Sequence, residues 1–465
     1  MPSAEPSETS ARTLLWVAIG VGLLARVGLA IGDDGLYWPD EYYQALEPAH
    51  RAVFGYGWQA WEFVAGARHW TLPGLVAGVF EVAQLLHLPL VATVKVLCAL
   101  VHVGTIGAVA FLARELGASQ RAAAVVALVF ALMGYAVFVA PRTLGEGLGA
   151  LPVTLGLALS LKPTVRRAVI AGALLSLAVG LRLQHGFFAI AALLLAWRSG
   201  QRRPALVLLG VLGVGAIVFG AIDRLTWGEW FHSARTYVGF NVLEGKASDF
   251  GVAPWWKYGA ALVTAEGVTV IPLVLLTLAG LGRSKALPLT VLLFVVAHSL
   301  IPHKELRFVF AALPLLAAAA APGLDLTRPP VHVAVLVLAA ISLVSLPWLT
   351  FGRMGLSDPP RETPALDYGG PYNRLLARAG KLDDVCGVRI ADFAHWRTAG
   401  YAIFHREAPL YRAERPGEGE GHFNYVIARR GVVTGATEVA ADGDVVLSRL
   451  TTPCTPDPAY DWHLE

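Results

Sequence analysis

Residues 13–31 read TLLWVAIGVGLLARVGLAI, an apolar run in which Arg26 is the only ionisable side chain. A helix of about 20 apolar residues is long enough to cross the hydrocarbon core of a bilayer. The run ends in Gly32-Asp33-Asp34 without a small-residue cleavage site, which favours an uncleaved membrane helix over a signal peptide. We expect the Arg26 side chain either to reach the interface or to face the helix bundle.

The composition of the whole chain agrees with this first run. The 465 residues are 55% hydrophobic and only 15% charged, whereas soluble domains carry about 25% charged residues. A soluble enzyme, a disulfide scaffold and a disordered protein are therefore excluded. A net charge of +3 gives no basic surface for nucleic acid, so we expect a membrane protein without a nucleic-acid partner.

Short basic clusters separate the apolar runs, and such clusters stay in the cytoplasm when they lie in short loops. Placing all of them on one side predicts an all-α polytopic membrane bundle of about 11 transmembrane helices, with a cytoplasmic amino terminus. The predicted spans are residues 13–31, 90–113, 122–140, 144–161, 168–181, 187–197, 205–221, 259–281, 286–301, 306–321 and 331–350. Residues 71–89 carry Glu81, Gln84 and His87, so we expect an interfacial or re-entrant helix there, with a true span as the alternative.

The composition becomes polar after residue 350, which predicts two domains. Residues 1–350 form the transmembrane domain, with a first outer loop at 32–89. Residues 351–465 form a small α/β domain outside the membrane, with strands at 387–393, 401–405, 425–429 and 445–450 and a helix at 372–381. Cys386 and Cys454 both lie in this domain and can pair in an oxidising compartment, but their pairing stays open.

The predicted topology brings the remaining polar clusters to the outer side. These clusters are Asp40-Glu41, Arg142-Thr143, Arg182 with Gln184-His185, Asp223, and residues 303–307. Charges near the hydrocarbon are costly and usually line a cavity or a reaction site. Their placement on one side indicates a single active site outside the cytoplasm.

Two of these clusters carry groups suited to catalysis. Asp40 and Glu41 suit a general base, although acids that simply end a helix are the plainer alternative. Lys304 and Arg307 suit an anionic phosphate, whereas a loop with a local ion pair is the alternative there. The aromatic residues of the first loop form either an interfacial belt or a sugar-stacking surface.

Residues 303–308, His-Lys-Glu-Leu-Arg-Phe, resemble the signature of the α-mannosyltransferases that build GPI anchors and N-glycan precursors. The first loop resembles the same family through Asp40-Glu41, Gln44, Glu47-Pro48-x-His50, Gly55-x-Gly57 and Trp61-Glu62. Arg142-Thr143, Phe240-Asn241 and Pro254-Trp255 extend the resemblance, which covers roughly residues 12–320.

The resemblance implies the GT-C fold and an inverting transfer of mannose from a polyprenyl-phosphate donor to a glycan or glycolipid acceptor. Asp40 would be the base, with Glu41 either orienting it or substituting for it. The donor phosphate or sugar would be held by His303, Lys304, Glu305, Arg307, Arg142 and Arg182. The acceptor or sugar would contact Tyr42, Gln44, His50 and Trp61.

No cofactor is expected, because cationic side chains can offset a departing phosphate, although Asp40-Glu41 leave a divalent metal possible. Two alternatives remain open: transfer of another polyprenyl-phosphate sugar, and transport of a lipid-linked sugar across the membrane. A transporter would place charges near the bilayer midplane and show repeat symmetry, and neither is apparent.

Overall fold

The computed structural model describes residues 6–357 and 359–464, which contain many helices and seven short strands. In chain order the helices are α1 (Pro6–Gly32), α2 (Glu47–Phe54), α3 (Trp61–Val64), α4 (Thr71–Leu85), α5 (Leu90–Glu115), α6 (Gln120–Leu132), α7 (Gly134–Val139), α8 (Gly145–Leu148), α9 (Ala150–Leu161), α10 (Val165–Leu181), α11 (Gly186–Arg198), α12 (Arg202–Trp227), α13 (His232–Val238), α14 (Lys257–Glu266), α15 (Val270–Ala279), α16 (Ala286–Ser299), α17 (Ala312–Leu324), α18 (Pro329–Val344), α19 (Gly370–Ala379) and α20 (Gly400–Phe404). The strands are β1 (Gln59–Ala60), β2 (Val388–Ile390), β3 (Leu410–Tyr411), β4 (Tyr425–Arg429), β5 (Thr437–Asp442), β6 (Val445–Arg449) and β7 (His463–Leu464).

These elements form two compact units. Among the described residues, the first unit takes in the chain up to Ala30, then His69–Thr71 and Lys95–Thr363. The second takes in Ile31–Arg68, Leu72–Val94 and the chain from Pro364 onward. The predicted domain ranges 1–350 and 351–465, with the loop 32–89, stay predictions.

The first unit is built from apolar helices. Four helical stretches in the described chain are long and apolar enough to cross a membrane: Thr9–Gly32, Leu90–Glu115, Arg202–Trp227 and Lys257–Gly282. The described chain has seven shorter apolar helices of 10–17 residues, and one of these, α4, belongs to the second unit except for Thr71. The predicted helical architecture is confirmed. The count of about 11 spans and the interfacial placement of residues 71–89 stay predictions.

The predicted span 122–140 is broken between α6 and α7, where Met133 is extended with ψ 117°. A break leaves the last carbonyls of the preceding helix without helical partners. The fully buried Arg26 guanidinium donates to the carbonyl oxygens of Ala131 at 2.8 Å and Phe130 at 3.2 Å. Arg26 therefore faces the bundle, which was one of the two placements expected from sequence.

The other side of the same break exposes N–H groups at the start of α7. The Gly134 N–H donates to Ser342 Oγ at 2.9 Å, and the Ala136 N–H donates to Glu266 Oε1 at 3.2 Å. Ser342 Oγ in turn donates to Glu266 Oε2 at 2.8 Å. Two buried charges thus supply partners for a backbone that has no water to bind.

The second unit contains a five-stranded sheet in the order β3-β2-β4-β6-β5. β3, β2 and β4 run parallel to one another. β6 is antiparallel to both of its neighbours, β4 and β5. The predicted strands at 387–393, 425–429 and 445–450 are confirmed as β2, β4 and β6, and the predicted helix at 372–381 is confirmed as α19. A separate parallel pair joins β1 to β7, with Gln59 opposite His463.

The predicted strand at 401–405 is wrong, because this segment is the helix α20. Its first turn is capped by a distant side chain: Glu47 Oε1 accepts the Ala402 N–H at 2.5 Å. Gly400, with φ +52°, brings its backbone so close that a Cβ would lie 2.9 Å from the same carboxylate oxygen. The apolar residues of this segment favour a strand when they are considered locally. The hydrogen bond from α20 to Glu47 of α2 stabilises a helix instead.

Cys386 and Cys454 form a disulfide, which settles the pairing that the sequence left open. The bond joins the segment before β2 to the segment after β6, across 68 residues of sequence. Cys98 is buried in α5.

Reduction of this disulfide should destabilise the second unit by about 4 kcal/mol in the chain-entropy account of a loop this long. We expect dithiothreitol to lower the unfolding temperature of the wild type and to leave a Cys386→Ser/Cys454→Ser double variant unchanged. Equal unfolding temperatures of the wild type with and without reductant would contradict the bond, as would the absence of the linked peptide in non-reducing mass spectrometry.

Two buried titratable groups of α2 have opposite pKa shifts. Burial raises the pKa of Glu47 to about 8, although backbone N–H donors, chiefly that of Ala402, partly offset the effect. Burial, and then the neighbouring His405, lower the pKa of His50 to about 4. His50 Nε2 lies 2.9 Å from His405 Nδ1, so this pair also ties α2 to the end of α20.

The Glu47 shift predicts a fall in the free energy of unfolding between about pH 6.5 and 8, because unfolding then releases the Glu47 proton. One proton over this window amounts to about 2 kcal/mol. Below pH 6.5 the proton taken up by His50 on unfolding opposes the release from Glu47, so their combined slope flattens.

Glu47→Gln should remove the fall above pH 6.5 in unfolding temperatures followed by tryptophan fluorescence. The exposed Glu420→Gln variant is the matched control and should keep the slope of the wild type. A Glu47→Gln variant with an unchanged slope would show that another group releases the proton.

Candidate active site

In the first unit, charged residues gather where helices are interrupted. α10 ends at Leu181, and Arg182 continues in extended conformation. The Arg182 Nη2 atom lies 3.1 Å from Glu146 Oε1, and both side chains are largely buried. Gly145 allows this approach, because a Cβ there would lie 2.2 Å from the Leu181 carbonyl oxygen.

The same break contacts the segment after α16. Gln184 Nε2 donates to the Phe308 carbonyl at 2.6 Å. The Arg182 guanidinium lies 5.9 Å from the ring centroids of both Phe308 and Tyr237. The structure therefore brings the predicted residue Arg182 to the 303–308 motif.

Glu305 is the centre of that motif. It accepts from Arg307 Nε at 2.8 Å, and its other oxygen lies 3.0 Å from His303 Nε2. Burial acts to raise the pKa of Glu305, but Arg307 and His303 outweigh it and hold the pKa below its usual value. The Arg307 guanidinium also stands 5.1 Å from the Phe308 ring centroid. An ionised Glu305 thus fixes the orientation of two predicted phosphate ligands.

Lys304 and Arg142 make contacts of a different kind. Lys304 Nζ donates to the carbonyl oxygens of Ala253 at 2.9 Å, Ile301 at 2.5 Å and Pro302 at 3.3 Å. Arg142 is buried, and its Nε donates to the Phe138 carbonyl at 3.4 Å. The central carbon of its guanidinium lies 4.5 Å from the Phe138 ring centroid. In this structure both residues stabilise backbone, and their roles toward a donor stay predictions.

Sequence reasoning did not single out Tyr258 at the start of α14. Its side chain is buried, and the charge of Glu305 acts on its hydroxyl. Arg307 and Glu146 also act on the hydroxyl electrostatically. Tyr237 and Tyr258 flank the loop that carries Phe240-Asn241 and Pro254-Trp255, and this position is the only sequence signal for them.

In the second unit, the predicted base Asp40 and its neighbour Glu41 differ in their surroundings. Glu41 is buried, and its Oε1 accepts the Trp38 N–H at 2.9 Å and the Tyr37 N–H at 3.2 Å. Asp40 is half-buried and begins the helical stretch that leads into α2. Glu41 therefore orders the loop, which leaves Asp40 the more accessible carboxylate.

The four predicted acceptor residues also lie in this unit, and two of them are buried. Tyr42 and His50 are buried, while Gln44 and Trp61 are half-buried. Gln44 Nε2 donates to Glu62 Oε1 at 3.0 Å. The predicted base and acceptor residues belong to one unit and the predicted phosphate ligands to the other, so a site shared by both stays a prediction.

The pairing of Arg182 with Glu146 can be measured with a double-mutant cycle. Glu146→Gln should cost about 3 kcal/mol, because it leaves a buried guanidinium without its carboxylate. The Glu146→Gln/Arg182→Gln double variant should recover part of this loss, which unfolding of the purified protein would show. Strictly additive losses would mean that the two side chains do not stabilise each other.

Two mannosyltransferases are similar in sequence to part of this chain. The chain is 32% identical over 318 residues to GPI mannosyltransferase 3 of Yarrowia lipolytica, covering 65% of this chain and 61% of that protein. It is 28% identical over 310 residues to the Drosophila melanogaster protein of the same name, covering 63% of this chain and 53% of that protein. The chain thus spans little more than half the length of the curated relatives that it matches.

Two solved structures are similar to this chain in fold. ArnT from Cupriavidus metallidurans, solved bound to undecaprenyl phosphate, aligns with a TM-score of 0.61 at 13% identity, covering 96% of this chain and 99% of that one. An Archaeoglobus fulgidus oligosaccharyltransferase aligns with a TM-score of 0.51 at 13% identity, covering 90% and 69%. At such identity the likeness concerns the fold.

The family resemblance predicted from the 303–308 motif and the first loop is confirmed on a larger scale. The model of one family matches residues 19–356, from within α1 to beyond α18. This range includes both predicted halves of the site and the loops between them. The chain belongs to the Alg9-like mannosyltransferase family.

Proposed function

We propose that this protein transfers mannose from polyprenyl-phosphate-mannose to a glycan or glycolipid acceptor outside the cytoplasmic membrane. The observation that carries the proposal is the Glu305 cluster, in which one carboxylate orients Arg307 and His303 within a mannosyltransferase family. The undecaprenyl phosphate of the ArnT structure supports the same class of donor.

The transfer proceeds by displacement at the anomeric carbon of mannose. Asp40 accepts the proton of the acceptor hydroxyl, whose oxygen forms a bond to this carbon from the face opposite the phosphate. The bond from the anomeric carbon to the phosphate oxygen breaks, and polyprenyl phosphate departs with the electron pair. A β-linked donor therefore gives an α-linked product, through a transition state with oxocarbenium character.

Positive charge stabilises the departing phosphate, so the proposed mechanism uses no metal. Arg307 and Arg182 supply this charge, each oriented by a buried carboxylate. Carboxylates that hold guanidinium groups in place reduce the reorganisation needed when the leaving phosphate gains charge. Glu305 and Glu146 act as positioning residues in this scheme.

The proposed topology has about 11 membrane spans, a cytoplasmic amino terminus and an outer second unit. The disulfide between Cys386 and Cys454 supports an oxidising environment for that unit. The basic loops that follow α5, α9 and α11 support the opposite, cytoplasmic side.

A transfer assay with radiolabelled polyprenyl-phosphate-mannose tests the proposal. Asp40→Asn and Arg307→Ala should each lower transfer at least about 100-fold, since each removes a group used only in the transition state. Asp249→Asn, an exposed carboxylate paired with Lys246, is the matched control and should keep full transfer.

Three results would overturn parts of this scheme. Full transfer by both variants would exclude the assigned base and phosphate ligand. Faster transfer from polyprenyl-phosphate-glucose than from the mannose donor would exclude mannose as the natural sugar. Loss of transfer on adding EDTA would exclude a metal-free reaction.

A further inference from the structure

A cavity of about 560 Å³ lies between α1, α5 and α6 of the first unit, at the helix ends that carry basic residues. It is lined by Thr9, Ala11, Arg12, Leu15, Gly107, Ala110, Phe111, Arg114, Gln120, Ala123 and Ala124. Two of these described lining residues are arginines and none is acidic. The cavity is distinct from the Glu305 cluster, and it does not contribute to the transfer mechanism.

The walls of the cavity are apolar and its two basic groups are exposed. Arg12 and Arg114 are both exposed, whereas Ala110 and Ala124 are almost completely buried. The cavity thus combines positive charge at its outer end with an inner surface of small apolar side chains. Its volume is within the range of small-ligand sites in proteins.

Glu115, the acidic residue that follows Arg114 in the sequence, is already held by other groups. Its carboxylate receives Arg167 Nη2 at 2.8 Å, and Lys162 Nζ lies 3.4 Å from it. Arg114 donates from Nη1 to the neutral Ala118 carbonyl, so Glu115 does not offset its charge, and the basic end of the cavity can attract an anion from outside the protein.

We propose that this cavity binds the headgroup of an anionic phospholipid from the surrounding membrane. The phosphate lies against Arg12 and Arg114 through charge-assisted hydrogen bonds, and the glycerol and first methylene groups lie against the alanine wall. Basic pockets between membrane helices suit anionic headgroups in this way. A zwitterionic choline headgroup fits less well, since Phe111 is the only aromatic side chain among the described lining residues.

Lipid binding to the purified full chain in an uncharged detergent tests the assignment. Native mass spectrometry should show phosphatidylglycerol bound at least fivefold more tightly than phosphatidylcholine with the same acyl chains. Arg12→Gln should weaken phosphatidylglycerol about fivefold, the effect of one basic residue at a lipid surface. Arg121→Gln removes the same charge one residue after the lining residue Gln120, and it should leave binding within twofold of the wild type.

A second pair of variants separates the cavity from general surface charge. A Cβ at Gly107 would meet no other heavy atom within 4 Å, so Gly107→Leu should place a side chain in the cavity without displacing its neighbours. A Cβ at Gly28 is equally open, and Gly28 does not line the cavity. Gly107→Leu should abolish the preference for phosphatidylglycerol, and Gly28→Leu should keep it.

The proposal is overturned if phosphatidylglycerol and phosphatidylcholine bind equally, or if Gly107→Leu keeps the preference. It is also overturned if Arg121→Gln weakens binding as much as Arg12→Gln, because the effect would then be one of overall charge. If soluble glycerol phosphate competes as well as the lipid does, the cavity is a site for a free phosphate and the lipid assignment fails.

Discussion

Backbone groups inside a bilayer must find hydrogen-bond partners within the protein, and this requirement shapes the first unit. Several apolar runs that look continuous in sequence are broken into two helices, and each break frees carbonyl and N–H groups. At the break between α6 and α7, Arg26 binds the carbonyl side, and Glu266 with Ser342 binds the N–H side. Lys304 does the same for the Ala253, Ile301 and Pro302 carbonyls.

This requirement separates two kinds of buried charge that look alike in sequence. Arg26, Glu266 and Lys304 bind backbone, and they can be explained by the breaks alone. Arg182 with Glu146 and Arg307 with Glu305 pair charge with charge, and all four side chains are at most 14% exposed. Burying such pairs is expensive and gives stability only with excellent geometry, which favours a chemical role for the second kind.

Several features could be predicted from the sequence, and the reasons are physical. Apolar runs predict membrane helices, because a helix must reach a fixed length to cross the bilayer. Residues 303–308 predict the family, because the order of residue types in this motif is specific. The α20 helix and the Arg182–Glu146 pair could not be predicted, because each depends on a side chain brought from elsewhere in the chain. Glu47 caps α20 across more than 350 residues, and no local pattern records that contact.

The parallel pairing of β1 with β7 has a consequence for biogenesis. Gln59 is synthesised roughly 400 residues before its partner His463, a delay of about 20 to 80 s at ordinary translation rates. During that interval the segment around Gln59 lacks its strand partner, and Glu47 lacks the Ala402 N–H that donates to its carboxylate. This segment of the nascent chain must therefore stay soluble or be bound by a chaperone. The second unit can complete its folding only after its last strand, β7, has been synthesised.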